Sequence, residues 1–356
     1  GPWDLPTFRK MKNIDINELN VKNASTKEYA AFNKIINVVR KERQPDDPPI
    51  PLEETTNQMK NLPSFVELKT WYVWNEDQTE MIAQGNIGLV YTDDNRHLSQ
   101  FDIIVHADYR RRGIGKQLLS LIADTAGADH RKLLLCDTND RIPAGEAFMQ
   151  RLGAKRGLEG HVNQLKITDL DHGLIHDWIA KGMHNSAEYE LGVWEGTYPE
   201  ELLEEIAKLM ELTNQQPFGD LEVEEMHITP EQLVEMQKMD AARGNQRCTM
   251  YVLEKASRKF AGYTETARNP NRPEILRQDM TGVFPEYRGK GLGRWLKAAM
   301  LDRMLKLHPE IKFVRTTNAD TNAAMLRINN ELGFKPYMSS ILWQMEVSQV
   351  LDYLKQ

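Results

Sequence analysis

Hydrophobic residues recur at a spacing of three or four positions in several stretches, and this period predicts amphipathic helices. One helix is predicted to run to about Arg43, and Ser25 and Glu28 stand at its start in the spacing of a capping box. A second is predicted over Pro199–Leu212 and a third from Pro230, a residue favoured in the first helical turn. The C-terminal residues 347–354 are also predicted to be helical.

Between these helices lie shorter runs that are rich in β-branched and aromatic residues, which predicts strands. In the first half of the chain they are Phe65–Val73, Met81–Tyr91, Gln100–Val105, Lys132–Cys136 and Val162–Ile167. In the second half they are Tyr189–Trp194, Cys248–Lys255, Phe260–Arg268, Leu276–Val283, Lys312–Thr317 and Ile341–Met345.

The stretch Thr281–Arg294 stands out, because it combines a strand end, a glycine-rich turn and a helix start. Pro285 cannot donate to a sheet, so it ends the strand. A glycine loop that leads into a helix offers free backbone N–H groups and the positive end of the helix dipole to an anion. The pattern therefore predicts a cradle for a phosphate or pyrophosphate, and the alternative is an ordinary tight turn with a basic face. Its glycines are Gly289, Gly291 and Gly293, and its cations are Arg288, Lys290 and Arg294.

The chain carries this loop twice. Tyr109–Lys116 repeats the order Tyr-Arg-x-x-Gly-x-Gly that begins at Tyr287. Further downstream, Arg151–Ala154 and Glu331–Phe334 share a Leu-Gly pair at matching places. Two matched landmarks in the same order indicate an internal duplication of a domain.

Composition narrows the function. The 356 residues are 40% hydrophobic and carry a formal net charge of −7, which predicts two globular domains and disfavours nucleic-acid binding. No apolar run is long enough to predict a membrane span.

Only two cysteines are present, one in each half, so we expect no disulfide and a cytoplasmic location. His172, His176 and His184 lack carboxylate partners at a fixed spacing, and no metal site is predicted. Gly1-Pro2 resembles the remnant of a protease cleavage.

The repeated Arg-x-x-Gly-x-Gly loop after a strand end, followed by a helix, a strand, an Asn-rich turn and Leu-Gly-Phe, resembles the GNAT superfamily of acetyl-CoA-dependent N-acetyltransferases. Because it occurs twice, the chain resembles a tandem GNAT protein. The resemblance implies the α+β class, with two domains that each hold a mixed, mostly antiparallel sheet flanked by helices. We place an N-terminal, non-catalytic domain at 1–167, a connecting helix at 168–184 and a catalytic domain at 185–356.

The resemblance also implies which residues bind acetyl-CoA. The pyrophosphate is expected on the two glycine loops, and the pantetheine arm along the strand end at Gly282 and Val283. Asn318 and Asn322 flank the next strand-to-helix turn and are expected at the cofactor, or alternatively serve as an Asx turn or helix cap. The full expected set is Gly282, Val283, Arg288, Gly289, Lys290, Gly291, Leu292, Gly293, Arg294, Asn318 and Asn322 in the second copy. In the first copy it is Val105, Arg110, Arg111, Arg112, Gly113, Ile114, Gly115 and Lys116.

Acyl transfer to an amine requires a base, since a primary amine is mostly protonated at neutral pH. Strand alternation places Asp279 on the face of Val283, and Glu265 on the neighbouring strand is the competing base or amine-binding anion. Asp279 could instead pair with Arg277. The usual proton-donating tyrosine of the family is replaced here, by Asn329 in copy two and Met149 in copy one, which leaves Tyr287 and Tyr337 as candidate donors.

The sequence therefore predicts an enzyme that acetylates a primary amine of a small metabolite or antibiotic, using acetyl-CoA. A protein or peptide N-acetyltransferase and a non-catalytic CoA-binding sensor are the alternatives. The Pro-rich segment Gln44–Pro51 is either a substrate-contacting loop or a rigid linker. Neither the acceptor nor the oligomeric state can be read from the sequence.

Overall fold

The structure, a computed structural model, describes residues 14–356, so Gly1-Pro2 lies outside the described residues. Twelve strands and ten α-helices occur in this part of the chain. The elements of the first half are β1 (Ile16–Leu19), α1 (Thr26–Arg43), α2 (Leu52–Lys60), β2 (Val66–Trp74), β3 (Met81–Val90), β4 (Leu98–Val105), α3 (Ile114–Ala128), β5 (Leu133–Asn139), α4 (Pro143–Arg151) and β6 (Lys155–Lys166). The elements of the second half are α5 (His172–Met183), β7 (Tyr189–Glu195), α6 (Leu203–Met210), α7 (Pro230–Ala242), β8 (Gln246–Glu254), β9 (Lys259–Arg268), β10 (Ile275–Val283), α8 (Leu292–Leu307), β11 (Phe313–Ala319), α9 (Ala323–Leu332), β12 (Lys335–Glu346) and α10 (Val347–Leu354).

The strands have a mixed, largely antiparallel arrangement and are flanked by helices, as predicted for the α+β class. The first compact unit comprises the described residues up to Gly157 together with Ile341–Gln356, and the second comprises Leu158–Ser340. We call them unit 1 and unit 2. The strand order is β1-β2-β3-β4-β5-β12 in unit 1 and β6-β11-β10-β9-β8-β7 in unit 2.

This division differs from the linear one expected from the repeat, with boundaries at 167 and 185. Most of β6 belongs to unit 2, where it pairs antiparallel with β11, and the end of β12 belongs to unit 1. The two strands hold equivalent places in the two repeats, so each sheet accepts the last strand of the other repeat. The helix expected to connect the domains, α5, is likewise part of unit 2, because Ile175 and Trp178 are buried in its core.

Local sequence signals explain where several helices begin. Ser25 and Glu28 form the predicted capping box at α1, and Thr229 forms a second one at α7, where Pro230 takes the first helical position. The predicted helix at 199–212 is shorter than expected: only α6 is α-helical, and 3₁₀ turns flank it. No helix within residues 14–356 is long and apolar enough to cross a membrane.

Unit 2 holds one very close helix packing at Gly182. A Cβ placed on Gly182 of α5 would lie 2.0 Å from Cγ of Trp295, a buried residue of α8. We therefore expect Gly182→Ala to force Trp295 out of its position and to lower the free energy of unfolding by about 1–3 kcal/mol. Denaturant unfolding measures this, with Gly127→Ala as the control, since a Cβ at Gly127 meets its nearest atom at 4.0 Å. Equal stability of the two variants would contradict the close packing.

Candidate active site

The glycine loop of unit 2 has the backbone conformation that its sequence predicts. After Val283 a 3₁₀ turn at Pro285–Tyr287 leads to Gly289 and Gly291, whose φ angles are 81° and 75°. L-residues rarely adopt this left-handed conformation, so glycine is favoured at both positions. A Cβ at either position would meet nothing within 4 Å, so the loop leaves open space on its outer side. Beside the unpaired N–H groups at the start of α8, this space suits a phosphate or pyrophosphate.

Unit 1 repeats the loop, but one of its three glycines is replaced. Gly113 has a φ of 86°, but Arg111 stands at the place of Gly289 and adopts a φ of 65°. The loop borders a cavity of about 350 Å³. The cavity is lined by loop residues that include Val105, Arg111, Gly113, Ile114, Gly115 and Lys116, and on its other sides by apolar side chains that include Phe148. A cationic rim next to an apolar wall fits a ligand with a phosphate end and an apolar end.

The first arginine of each loop has a structural task. Nε of Arg288 donates to the carbonyl oxygen of Val283 at 3.1 Å, and Nε of Arg110 donates to that of Val105 at 2.9 Å. Arg110 also pairs with Glu42 of α1. These contacts tie each loop to the end of its strand. The charge near the predicted phosphate therefore comes from other cations.

Most of those other cations also have partners within the protein. Nζ of Lys290 donates to the hydroxyl of Tyr189 at 2.9 Å, and Arg294 pairs with Glu331 at 3.3 Å. In unit 1, Arg112 donates to the carbonyl oxygen of Asp108, and Lys116 lies over the ring of Tyr353. Bound phosphate would have to share or replace these contacts.

A cleft opens in the sheet of unit 2 beside the loop. Strands β10 and β11 pair in parallel only from Ile275–Arg277 to Phe313–Arg315, and no pairing follows towards Gly282 and Asn318. Unit 1 repeats this, because β4 and β5 pair only at Leu98–Gln100. An extended, amide-rich ligand could bind along the free edge of such a strand.

The two asparagines on the β11 side of the cleft make internal hydrogen bonds. Oδ1 of Asn322 accepts from the backbone N–H of Met325, so Asn322 caps α9, the alternative role considered for it. Oδ1 of Asn318 accepts from the side-chain amides of Asn163 and Asn329 at 3.0 Å each.

A β-bulge changes the faces on which the residues of β10 lie. The register shifts between Gln278, opposite Thr266, and Thr281, opposite Thr264. The expected alternation from 279 to 283 is therefore wrong: Thr281 lies on the face of Gln278, whose amide hydrogen-bonds Thr264, and Asp279 lies on the opposite face. In unit 1 the pairing of β3 and β4 is regular.

Asp279 is held by a neighbouring arginine. Its two carboxylate oxygens accept from Nε and Nη2 of Arg277 at 2.5 Å and 3.2 Å. This is the alternative role that the sequence left open for Asp279. The bulge places Asp279 on the same face as Glu265 of β9. Burial is the main cause of the raised pKa of Glu265, and Coulomb repulsion from Asp279 adds a smaller contribution.

Glu265 occupies the more enclosed position, with 14% of its side chain exposed. Its Oε2 accepts from the hydroxyls of Tyr198 at 2.5 Å and Thr249 at 2.7 Å, and Nε of Arg247 lies 3.9 Å away. Oε1 accepts no hydrogen bond from the residues that the structure describes. Burial raises the pKa of Glu265 above the ordinary carboxyl value, because the charged form loses hydration. A carboxylate with a raised pKa and a free oxygen is suited to accept a proton.

Comparison with known proteins identifies the two units. A model of the Acetyltransferase (GNAT) domain matches residues 67–153, and a model of the Acetyltransferase (GNAT) family matches residues 206–334. The chain belongs to the GNAT acetyltransferases. The two matches fall on the two repeats, so it is a tandem GNAT protein and an acetyltransferase.

Solved structures of GNAT proteins share this tandem fold. A tandem GNAT protein from the clavulanic acid biosynthesis pathway is 21% identical, with a TM-score of 0.75 over 94% of this chain and 99% of its own. A GCN5-related N-acetyltransferase from Sphaerobacter thermophilus is 12% identical, with a TM-score of 0.64 over 93% of this chain and 96% of its own. No curated protein matches this GNAT chain by sequence.

The two tyrosines that the sequence suggested as proton donors, Tyr287 and Tyr337, are each packed against another side chain. Tyr287 packs edge-on against Tyr189, and burial raises its pKa, so it keeps its proton. The ring of Tyr337 lies under the guanidinium of Arg315.

Sequence reasoning did not find the residues around Glu265. Tyr198 stands in the loop after β7, Arg247 and Thr249 are on β8, and Thr249 pairs directly with Glu265. Only the register of β8 against β9 could have revealed them, and no sequence signal fixes that register.

Proposed function

We propose that unit 2 of this GNAT protein transfers an acetyl group from acetyl-CoA to the primary amine of a small metabolite or antibiotic by direct attack. GNAT proteins generally use acetyl-CoA, which would supply the activated acetyl group. The open left-handed loop at Gly289 and Gly291 and the cleft beyond Arg277 suit its pyrophosphate and its amide-rich arm.

The buried carboxylate of Glu265 is the observation that carries the proposal. It lies on β9 opposite the bulge of β10, and its oxygen Oε1 is left free by the donors at Oε2. Glu265 takes the proton of the acceptor amine, and Tyr198 and Thr249 hold the carboxylate in place.

Unit 1 is proposed to bind a CoA-type ligand without catalysing transfer. Its cavity and cationic loop fit the ligand, but β4 has no bulge and Phe101 stands at the place of Asp279. Phe101 is buried in the core of unit 1 and offers no group that could accept a proton.

The proposal is tested by measuring thiol release from acetyl-CoA across a panel of primary amines, with mass spectrometry of the products. We expect turnover and an acetylated product with at least one cationic small amine, and none without an acceptor beyond slow hydrolysis. Binding of CoA without turnover on any amine would contradict catalysis and favour a sensor. Turnover on peptides alone would contradict the small-molecule acceptor.

A further inference from the structure

A lysine is buried in unit 2 without a counter-ion. Lys297 of α8 is 1% exposed, and its Nζ contacts Oδ1 of Asn329 at 2.5 Å and Sδ of Met325 at 3.4 Å. Both partners are neutral, and no carboxylate among residues 14–356 forms an ion pair with it. Burial of an ammonium group without a paired charge is strongly unfavourable, so the residue calls for an explanation.

A chain of amides connects this lysine to the wall of the cleft. Asn329 of α9 donates from Nδ2 to Oδ1 of Asn318, and Asn163 of β6 donates to the same oxygen. Asn318 is on β11, beyond the point where β10 and β11 stop pairing. Asn329 stands where the family resemblance expects a proton-donating tyrosine.

Unit 1 shows that the fold does not require a polar cluster here. The loop glycines Gly115 and Gly293 align Lys297 with Leu119, and the helix-ending glycines Gly153 and Gly333 align Asn329 with Met149. Leu119 and Met149 are buried in the core of unit 1. The same alignment pairs Asn318 and Asn163 with Thr138 and Trp343, which hydrogen-bond each other at 2.8 Å.

We propose that Lys297 stabilises the thiolate of CoA as it leaves during acyl transfer. Lys297 is a positioning residue in this role, because it acts through Asn329. The inference rests on the proposed function of unit 2. In the step, the acceptor nitrogen bonds to the acetyl carbon, its proton passes to Glu265, and the C–S bond breaks. The sulfur keeps the electron pair of that bond, and the ammonium form of Lys297 offsets the resulting negative charge.

The electrostatic surroundings of Lys297 fit this role. Burial alone lowers the pKa of Lys297 to about 7. Near neutral pH, a small further shift of this pKa therefore changes the protonated fraction of the amine. Arg294 of α8 and Glu331 of α9 pair with each other. An anion formed nearby would raise the pKa of Lys297 and favour its charged form.

The test transplants the residues of unit 1 into unit 2, as Lys297→Leu with Asn329→Met in the full chain. The ultraviolet absorbance of the thiolate gives the pKa of the thiol in bound CoA, and steady-state assays with acetyl-CoA give kcat against pH. We expect the thiol pKa to rise by about one unit and kcat to fall by at least about tenfold, the effect of that one-unit change in anion stabilisation. We also expect the alkaline decline of kcat near the lysine pKa to disappear.

Two further variants keep the test decisive. Lys297→Met removes the amine with less change in shape, in case the double variant does not fold. Met325→Leu keeps the amine and removes only the sulfur contact, so it should behave as wild type in both readouts. An unchanged thiol pKa and an unchanged pH profile in the lysine variants would overturn the inference.

The outcomes separate this inference from the proposed function. If the wild type acetylates no amine, the proposed function fails, whereas the thiol pKa of bound CoA still decides whether Lys297 acts on the sulfur. If the wild type is active and the lysine variants match it, the proposed function stands and Lys297 has no part in it.

Discussion

Glu265→Gln is expected to reduce kcat by about 10²–10⁴, the usual contribution of a general base. Glutamine keeps the shape of the side chain and can still accept from Tyr198 and Thr249, but it cannot take a proton from the amine. The affinity for CoA should not change, because Glu265 is on β9 and is not part of the glycine loop. Stopped-time assays of thiol release, with calorimetry of CoA binding, measure the two effects.

The dependence of kcat on pH should also show that Glu265 acts as the base. Burial raises the pKa of Glu265, and the proton acceptor must be ionised to act. In the wild type kcat therefore falls as the pH drops through this raised pKa, whereas Glu265→Gln should lose that acidic decline.

Asp279→Asn is the matched control. Because Asp279 is engaged by two nitrogen atoms of Arg277, we expect its loss to change kcat by less than about tenfold. A large loss in Asp279→Asn together with a near-normal Glu265→Gln would show that Asp279 is the base.

Gly291→Asp is expected to weaken CoA binding to unit 2 by at least about tenfold, since one tenfold step corresponds to about 1.4 kcal/mol. The φ of Gly291 is 75°, so aspartate adds strain, and its carboxylate would repel the pyrophosphate at the start of α8. Gly291→Ala adds strain without charge and therefore separates the two contributions. Calorimetry of the folded variants gives the affinities.

Gly113→Asp makes the same change in unit 1, where φ is 86°. We expect it to remove any CoA site in unit 1 while turnover stays within a few-fold of the wild type. If Gly113→Asp abolishes turnover in a folded protein and Gly291→Asp does not, catalysis belongs to unit 1.

The glycine loops could be predicted from the sequence because local rules fix them. Glycine favours a left-handed backbone, proline ends the strand before the second loop, and the glycine spacing occurs a second time in the repeat. The capping boxes of α1 and α7 are local in the same sense, since each depends on residues three positions apart.

Features that depend on pairing between distant segments could not be predicted. The bulge at Asp279 changes which face of the sheet the following residues lie on, yet no nearby residue predicts the inserted position. The exchange of β6 and β12 is hidden for a related reason: their equivalent places in the two repeats make either sheet a possible partner. Lys297 lies on a helix whose start was predicted, but its burial depends on α9 packing against it.

The most direct test that unit 2 holds the acetyl-CoA site is a crystal structure of the full chain with CoA. We expect the pyrophosphate on the N–H groups at Gly289–Gly293 and the sulfur in the cleft between β10 and β11, one strand away from β9, which carries Glu265. CoA in the cavity of unit 1 alone, with the cleft of unit 2 closed to it at saturating concentration, would contradict the assignment.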